Sequence, residues 1–332
     1  MPEEIRFAIV GTGMGYGRAR RVTETPGARL VAVCTLDEER GQKAAEEFGC
    51  EFIRAYDDLL ARDDVDVVGV MTPSGLHCEH AIQALRAGKH VYTTKPMDIR
   101  VEQCDAAMRA ARDADRLLCV DFDSRYVPDN HRIRQAVRSG AIGSVLNADL
   151  RMKWYRKQSY YDGGIPAGWR SRLETEGGSA ANQAVHYLDL LLWWLGPVRS
   201  VQARIGTLGH AIETEDAAQA LITFESGAWG VIQTTTCSYP ELGTAIELTG
   251  RKGTLSWKDN EVVRCEAEDG DPPPLAGYPV DADLPQNIIE DVVGVLTKGR
   301  KPMCPPEEGR ASVALFDAIY RSARTGEIMT PE

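Results

Sequence analysis

A short apolar run that passes into a glycine-rich loop constrains the fold of this chain more than any other feature. Residues 5–10 read IRFAIV, residues 11–17 read GTGMGYG, and the helical stretch RARRVTET follows. Gly11 and Gly13 therefore lie where a strand turns into a helix. In that context the first glycine permits a tight turn, and the second lets the backbone approach a pyrophosphate at the helix N-terminus. The pattern favours a dinucleotide-binding loop over a plain glycine-rich turn.

The third glycine of the usual GxGxxG pattern is displaced, since Tyr16 stands at its position and glycines fall at 15 and 17. That shift predicts either looser packing of the helix on the strand or a slightly longer loop. The residues expected to contact the cofactor in this loop are Gly11, Thr12, Gly13, Met14 and Gly15.

Strands and helices alternate through the first third of the chain. After the glycine loop come the apolar runs 29–34, 65–71, HVYTT (90–94) and 116–122, separated by the helical stretches 38–49, 79–88 and 101–114. Alternation of this kind predicts a parallel sheet covered by helices on both faces, the doubly wound Rossmann arrangement. Residues 1–122 are therefore expected to form a dinucleotide-binding domain.

From about residue 123 the pattern changes. Long alternating runs joined by short turns predict strands that meet without intervening helices, and so a largely antiparallel sheet. A helix followed by a turn is expected at 128–143, helices are expected at 284–299 and 306–325, and the DPPP and GYP segments at 271–279 suggest a rigid linker. Residues 123–332 are therefore expected to form a second α/β domain with a large, mainly antiparallel open sheet.

Length and charge limit the possible partners. A chain of 332 residues exceeds what one hydrophobic core usually holds, which favours two domains. The net charge of −11 argues against nucleic acid or an anionic membrane as a partner, because both select clustered Lys and Arg. No apolar run is long enough to cross a bilayer, and the N-terminus MPEEIRF has no signal-peptide core.

Cysteine and histidine usage points to a reducing compartment and to no metal site. Eight cysteines are scattered singly without a CxxC pair, which predicts buried thiols and a cytoplasmic protein. His77 and His80 are close in sequence, but no acid or thiol near them completes a metal-binding set.

The residues after the second strand bear on the choice of cofactor. An acidic residue that would bind the adenosine ribose is expected at position 35, where Thr35 stands. Asp37 and Arg40 follow, and all three are expected around the ribose. No arginine at position 36 is available for a 2′-phosphate, so NAD is favoured over NADP.

Lys95 occupies an unusual place in the sequence VYTTKPM (91–97), at the end of a predicted buried strand and directly before Pro96. Two interpretations are open: the lysine caps the strand end and extends to solvent, or it is a reagent placed at the carboxyl edge of the sheet, where doubly wound folds bind ligands.

Two separated segments resemble one family. Residues 72–96, TPSGLHCEHAIQALRAGKHVYTTKP, resemble the TPxxxH, AGKHV and Lys-Pro segments of the glucose–fructose oxidoreductase, inositol dehydrogenase and MocA family, written Gfo/Idh/MocA. Thr94 stands where that family usually has Glu. Residues 168–198, GWRSRLETEGGSAANQAVHYLDLLLWWLGPV, are similar to its WRG…GG…H…D segment, and the resemblance spans nearly the whole chain.

The resemblance implies an NAD(P)-dependent oxidoreductase and assigns roles residue by residue. Further cofactor contacts are implied at Thr72, Pro73, Ser74, His77, Thr94, Lys95, Trp169 and Arg170. Catalytic roles are implied for Lys95, His186 and Asn182, and substrate contacts for Lys95, Arg125, Tyr126, Arg170, Asn182 and His186. The family commonly has Asp at the position of Asn182. The sheet of the second domain commonly forms the subunit contact, which implies a homodimer or homotetramer.

The second segment also has a physical interpretation of its own. Gly177 and Gly178 break the preceding loop, and Ser179 is suited to cap the following helix. Asn182 and His186 are four residues apart and would share one helix face. Because an asparagine cannot accept a proton as a carboxylate does, the acid–base chemistry would rest on Lys95 and His186.

Three hypotheses follow. The first is a dehydrogenase of a sugar, inositol or related polyol, in which Lys95 has a lowered pKa and removes the hydroxyl proton while His186 binds the same hydroxyl. The second keeps the fold without net redox chemistry, as an NAD-dependent glycosidase-like enzyme or a ligand sensor. The third is a structural protein with a nucleotide-binding fold that has no ligand. Formation of NADH with a panel of sugars separates the first from the others.

Overall fold

The computed structural model describes residues 4–268 and 275–332, and it contains two sheets. The DPPP part of the predicted linker lies outside the described residues. No helix in the described part of the chain is long and apolar enough to cross a membrane.

The first sheet is parallel and has the strand order β3-β2-β1-β4-β5-β6. Its strands are β1 Ile5–Val10, β2 Ala28–Cys34, β3 Glu51–Ile53, β4 Val67–Val70, β5 His90–Thr94 and β6 Leu118–Asp121. The connecting helices are α1 Gly15–Glu24, α2 Glu38–Phe48, α3 Tyr56–Leu60, α4 His77–Arg86 and α5 Val101–Ala114. Strand order reverses between β1 and β4, and ligands bind doubly wound sheets at the carboxyl ends of strands beside such a reversal.

The second sheet has seven strands in the order β13-β12-β11-β7-β10-β9-β8. Every neighbouring pair is antiparallel except β7 with β10. Its strands are β7 Val145–Lys153, β8 Val198–Gly206, β9 Ala217–Phe224, β10 Trp229–Thr235, β11 Gly243–Gly250, β12 Gly253–Lys258 and β13 Glu261–Ala267. The predicted fold class, a Rossmann sheet followed by a mainly antiparallel open sheet, is confirmed.

Helices of the C-terminal two thirds are α6 Pro128–Arg138, α7 Gln158–Asp162, α8 Val185–Leu195, α9 Ile288–Lys298 and α10 Pro306–Thr325. Burial alternates along the central strands of the second sheet, so one face is buried and the other is exposed. The packing of α8 contributes to the buried face, where Tyr187 and Trp194 contact the ring of Trp257 from β12.

The chain divides into two compact units. One comprises the residues up to Phe122 together with Pro285–Arg310, and the other Asp123–Leu284 together with Ala311–Glu332. The boundary predicted at residue 122 matches this division, but the segment 285–310 had been assigned to the second domain. It joins the first unit because α9 packs on α1 and the N–H of Val120 donates to the carbonyl of Cys304 at 3.1 Å.

Candidate functional site

The glycine loop follows β1 and begins α1, as the sequence predicts. Gly11 has a φ of +89°, and a Cβ on it would lie 2.5 Å from the carbonyl oxygen of Met71, so only glycine fits. A Cβ on Gly13 would meet no atom within 4 Å, which leaves open space above the backbone where a pyrophosphate can approach.

Gly15 corrects the expectation about the third glycine. It is the first residue of α1, and a Cβ there would lie 2.9 Å from the side chain of Ile9 and 3.3 Å from that of Met71. Gly15 therefore permits close packing of the helix on the sheet, the role usually given to the third glycine of the motif. The displaced spacing does not loosen that packing. The loop fits a dinucleotide.

The residues predicted around the ribose lie together after β2. The Thr12 hydroxyl donates to that of Thr35 at 3.2 Å, and Thr35 accepts from the N–H of Asp37 at 3.3 Å. Asp37 caps α2 by accepting from the N–H of Arg40 at 3.1 Å, and its other oxygen lies 3.2 Å from the Arg40 guanidinium. This cluster places a carboxylate near the end of β2, which favours a ribose hydroxyl over a phosphate.

Lys95 directly follows β5 and is half-buried. The segment that follows Lys95 is attached to α4 by a side-chain hydrogen bond between residues that are 20 positions apart in the sequence. Asp98 is buried, and its carboxylate accepts from the N–H groups of Cys78 at 3.2 Å, Ile99 at 2.8 Å and Arg100 at 3.1 Å. Such a turn fixes the direction in which the Lys95 side chain leaves the backbone.

His77 completes this support. Its ring is buried, with Nδ1 2.7 Å from the carbonyl oxygen of Pro96 and Nε2 2.7 Å from that of Thr72. Burial lowers the pKa of His77 to about 4, and Lys95 adds to the lowering. The neutral ring carries one N–H, so it donates to one of the two carbonyls. The ring thus joins the TPSGLH segment to the residue after Lys95, and the cofactor contact at His77 stays a prediction.

In the second unit, Asn182 and His186 do not share one regular helix. Asn182 lies in the π-turn Ser179–Gln183, where the N–H of Ala184 donates to the carbonyl of Ser179 at 2.8 Å, and His186 is the second residue of α8. The wider ring changes the angular relation that a spacing of four residues gives in an α-helix. Both side chains are half-buried.

Arg125 and Tyr126, predicted to contact substrate, are both buried. Arg125 donates to the two oxygens of Asp189 at 2.8 and 2.7 Å, and that carboxylate also accepts from the hydroxyl of Ser312 at 3.4 Å. These contacts make Arg125 an anchor for α8, the helix that carries His186. The substrate contacts at Arg125 and Tyr126 stay predictions.

Asn182 belongs to a cluster of amides, aromatic rings and guanidinium groups that the sequence did not reveal. The side-chain amide of Gln183 donates to the side-chain amide oxygen of its neighbour Asn182 and to the hydroxyl of Tyr160, and its own oxygen accepts from Arg156 at 3.0 Å. The guanidinium of Arg156 lies 5.0 Å from the ring centre of Trp154. The only visible signal was the alternation of aromatic and cationic residues in KWYRKQSYY (153–161).

Arg170 stands out in this cluster. Its guanidinium lies 4.5 Å from the ring centre of Trp169 and 4.9 Å from that of Tyr160. Within residues 4–268 and 275–332 no carboxylate pairs with it, whereas Arg156 pairs with Glu241 at 3.1 Å. The family resemblance implies cofactor contacts at Trp169 and Arg170, and the structure brings both together with Tyr160. A guanidinium stacked on aromatic rings is suited to bind a carboxylate or phosphate.

One cluster of metal-ligand type occurs among the described residues, formed by His210, Asp216 and Cys237. Asp216 accepts from three backbone N–H groups at 2.7–2.9 Å, and the two nitrogens of His210 face Asp216 at 3.0 Å and the carbonyl of Arg156 at 2.7 Å. The donor atoms are thus engaged by the protein, and the cluster organises the loop before β9.

Two family models match the chain. Residues 5–122 match the oxidoreductase family with an NAD-binding Rossmann fold, and residues 130–256 match the GFO/IDH/MocA C-terminal domain. The two matches follow the two sheets in order.

Individual relatives cover nearly the full length. The WlbA dehydrogenase of Bordetella pertussis, solved with NADH and UDP-GlcNAcA, is 34% identical, has a TM-score of 0.88 and covers 98% of each chain. The WlbA dehydrogenase of Chromobacterium violaceum, solved with the same two molecules, is 32% identical, has a TM-score of 0.87 and covers 99% of this chain and 96% of its own. The inositol 2-dehydrogenase of Rhizobium meliloti is 27% identical over 96% of each chain.

Proposed function

Because this chain belongs to the Gfo/Idh/MocA oxidoreductase family, we propose that it oxidises a secondary hydroxyl of a sugar that carries an anionic group, with NAD as the preferred cofactor. That the chain is an NAD(P)-dependent dehydrogenase of sugars or polyols follows from its relatives. The anionic group is the refinement, for which UDP-GlcNAcA, present in the two WlbA structures, is the first candidate.

The observation that carries this refinement is the position of Arg170. Its charge rests on two aromatic faces, and within the described residues it has no acidic partner. A cation held in this way gains most from a ligand carboxylate or phosphate, because a charge-assisted hydrogen bond there replaces water on both groups. A neutral polyol would leave that charge without an anion.

The chemistry requires two transfers from the substrate carbinol. When bound, the oxidised nicotinamide accepts the hydride. The chain must accept the hydroxyl proton, and we assign that task to Lys95, whose amine in its neutral form is a base on a backbone fixed by Asp98 and His77. His186 and Asn182 bind the substrate, His186 as a donor or acceptor and Asn182 through a neutral amide.

The test is the absorbance of NADH at 340 nm with three substrates: UDP-GlcNAcA, UDP-GlcNAc and myo-inositol. We expect the largest kcat/KM with the acid. Arg170→Met should raise the KM for the acid by about 10- to 100-fold, the usual cost of a lost charge-assisted hydrogen bond. The matched control is Arg172→Met, which removes an exposed guanidinium 3.9 Å from Glu174.

Two results would contradict the proposal. If myo-inositol is oxidised at least as well as UDP-GlcNAcA, the substrate is a neutral polyol. If Arg170→Met and Arg172→Met behave alike with the acid, Arg170 does not bind its anionic group. Turnover of a sugar without any NADH would instead support the glycosidase-like alternative.

We also propose that a second copy of this chain covers the outer face of the second sheet. That face exposes large apolar side chains on neighbouring strands, with Leu221 59% exposed and Trp229 69% exposed. Apolar residues clustered on one face suit an interface between identical subunits. Trp229→Glu should shift the mass measured by light scattering toward a monomer, while the exposed loop variant Leu208→Glu should not. An unchanged mass for Trp229→Glu would rule this face out.

The cysteines support the proposal of a cytoplasmic protein. All eight are free thiols in the structure, and Cys34, Cys78, Cys104, Cys119 and Cys304 are buried. Thiols in this state persist in a reducing compartment. A thiol count of eight on protein purified from cells without reductant is expected, and a lower count would indicate disulfides.

A further inference from the structure

The π-turn Ser179–Gln183 is supported by a buried carboxylate that the mechanism above does not use. Glu215 lies just before β9 and is 5% exposed. Its Oε1 accepts from the N–H of Ala180 at 2.7 Å and from the hydroxyl of Ser179 at 3.1 Å. Its main-chain carbonyl accepts from the N–H of Ser179 at 2.9 Å. Both the side chain and the backbone of Glu215 therefore hold the first turn of the segment that carries Asn182.

Tyr320 of α10 completes the support from the other side. Its hydroxyl donates to Oε2 of Glu215 at 3.2 Å and accepts from the N–H of Gly178 at 3.1 Å. The hydroxyl of Ser179 also lies 2.7 Å from that of Thr234 on β10. The sequence had suggested Ser179 as a helix cap, whereas its side chain bonds to Glu215 and Thr234.

The two glycines before the π-turn are explained by the same carboxylate. A Cβ on Gly178 would lie 1.2 Å from Oε2 of Glu215, and one on Gly177 would lie 2.2 Å from the Cβ of Ala181. Since Gly178 has an ordinary negative φ of −85°, the reason for glycine is space and not backbone conformation. The pair had been expected only to interrupt the loop.

π-Turns inside helices are rare and are found mostly at functional sites, where they alter the direction of a side chain. Burying a carboxylate raises the free energy of the folded state unless the carboxylate is hydrogen-bonded. The carboxylate of Glu215 accepts its hydrogen bonds from Ser179 and Ala180 of this turn and from Tyr320, which supports it. We propose that Glu215 is a positioning residue for the reaction: by holding the π-turn and the start of α8, it sets the placement of Asn182 and His186. This inference rests on the proposed function.

The protonation of Glu215 gives the proposal a signature. Burial raises the pKa of Glu215 to about 7. Its described partners are hydrogen-bond donors, so the ionised form fits the contacts best. The titratable groups that face it include Tyr320 and Tyr161, whose phenol pKa values burial raises well above neutral, so they stay uncharged in this range.

The test compares kcat, KM and NADH affinity for four proteins: wild type, Glu215→Ala, Glu215→Gln and the control Ser322→Ala. The control removes a buried hydroxyl of α10 that lies two residues beyond Tyr320 but has other partners: it accepts from the N–H of Ala203 at 3.0 Å and donates to the carbonyl of Glu327 at 2.6 Å. Glu215→Ala should lower kcat by about 10- to 100-fold, the effect of misplacing a reacting group, with NADH affinity unchanged. Glu215→Gln retains an acceptor for Ala180 and should stay within about threefold of wild type at pH 8.

The dependence of kcat on pH distinguishes a role of Glu215 in positioning the reacting groups from a purely structural role. The ratio of wild-type kcat to Glu215→Gln kcat should rise as pH increases through about 7, because only the glutamate gains charge there. Hydrogen exchange of the Ala184 amide should increase in Glu215→Ala but not in Ser322→Ala.

Three outcomes would contradict a positioning role for Glu215. If Glu215→Ala exposes the Ala184 amide but has the kcat of Ser322→Ala, Glu215 is only structural and the inference is wrong. If kcat falls and the ratio is flat in pH, the charge plays no part and positioning by the carboxylate is overturned. If wild type oxidises no sugar, the proposed function fails first and the inference fails with it.

Discussion

The two units hold their predicted site residues by different means. In the first unit the support of Lys95 is local: His77 bonds to Pro96, 19 residues away, and Cys78 bonds to Asp98, 20 residues away. In the second unit the support of Asn182 and His186 comes from remote segments. Glu215 lies 35 residues from Ala180, and Tyr320 lies 142 residues from Gly178. Contacts between residues that are close in sequence can be predicted from sequence patterns, and contacts between distant segments cannot.

The largest effect is expected at Lys95. Lys95→Ala should lower kcat by about 10² to 10⁴, the range for a positioned acid or base, while NADH affinity changes little. Lys95→Arg should fail as well, because a guanidinium does not release its proton at working pH. Stopped-flow turnover and fluorescence titration of NADH measure the two quantities.

Lys89→Ala is the matched control, since Lys89 stands just before β5 and donates to the carbonyl of Arg62. It should alter stability and leave kcat near the wild-type value. Near-normal turnover of Lys95→Ala would mean that Lys95 is a strand-end cap, the other interpretation of VYTTKPM, and the support around it would then have a purely structural purpose.

The next effect concerns the anchor of α8. Asp189→Asn removes the charge of the carboxylate that accepts two hydrogen bonds from the buried Arg125 guanidinium. It should lower the free energy of unfolding by about 3 to 5 kcal/mol, the usual cost of breaking a buried ion pair at one partner. Asp105→Asn breaks the more exposed pair with Arg310 in the first unit and should cost at most about 1 kcal/mol. Urea titrations monitored by circular dichroism compare them. Equal losses would contradict the claim that α8 depends on its remote partner.

Sequence patterns identified the strands and helices of the first unit closely, including α5 at its observed bounds, because each has its own periodicity and glycine or proline boundary. The short β3 and α3 were missed, since a few residues carry no period. The π-turn and the roles of Glu215, Gln183 and Arg125 could not be predicted, because each depends on a buried partner distant in sequence. The return of α9 to the first unit was missed for the same reason.

A third effect compares one buried titratable group from each unit. The pKa of His77 is lowered from 6.5 to about 4, so the unfolded chain binds the extra proton between those values and His77 costs stability as pH falls. The pKa of Glu215 is raised from 4.5 to about 7, so the folded chain binds the extra proton and Glu215 costs stability as pH rises. Each of the two residues changes the free energy of unfolding by about 3 kcal/mol at most between its unfolded and its folded pKa.

The variants His77→Gln and Glu215→Gln test the opposite signs. Relative to wild type, His77→Gln should gain stability as pH is lowered from 6.5 to 4, and Glu215→Gln should gain it as pH is raised from 4.5 to 7. Thermal unfolding at a series of pH values supplies the data. The same sign for both variants would show that one of the two burial effects has been misassigned.

The smallest effect concerns the cofactor. The carboxylate of Asp37, near the end of β2, should make NADH bind about 3- to 10-fold more tightly than NADPH, because it repels a 2′-phosphate at a partly exposed position. Asp37→Ala should narrow that ratio, whereas Glu38→Ala, one residue further along α2, should not. Isothermal titration gives both constants, and tighter binding of NADPH by wild type would reverse the preference.

Transfer of hydride from the sugar to the nicotinamide can be followed with an isotope, because the transferred hydrogen stays on the reduced cofactor. Wild-type protein is incubated with NAD and UDP-GlcNAcA that carries deuterium on its ring carbons, and the reduced cofactor is isolated and weighed by mass spectrometry. We expect NADH that is one mass unit heavier, formed in equal amount to the oxidised sugar. Reduced cofactor without deuterium, or an altered sugar beside NAD that stays oxidised, would contradict it.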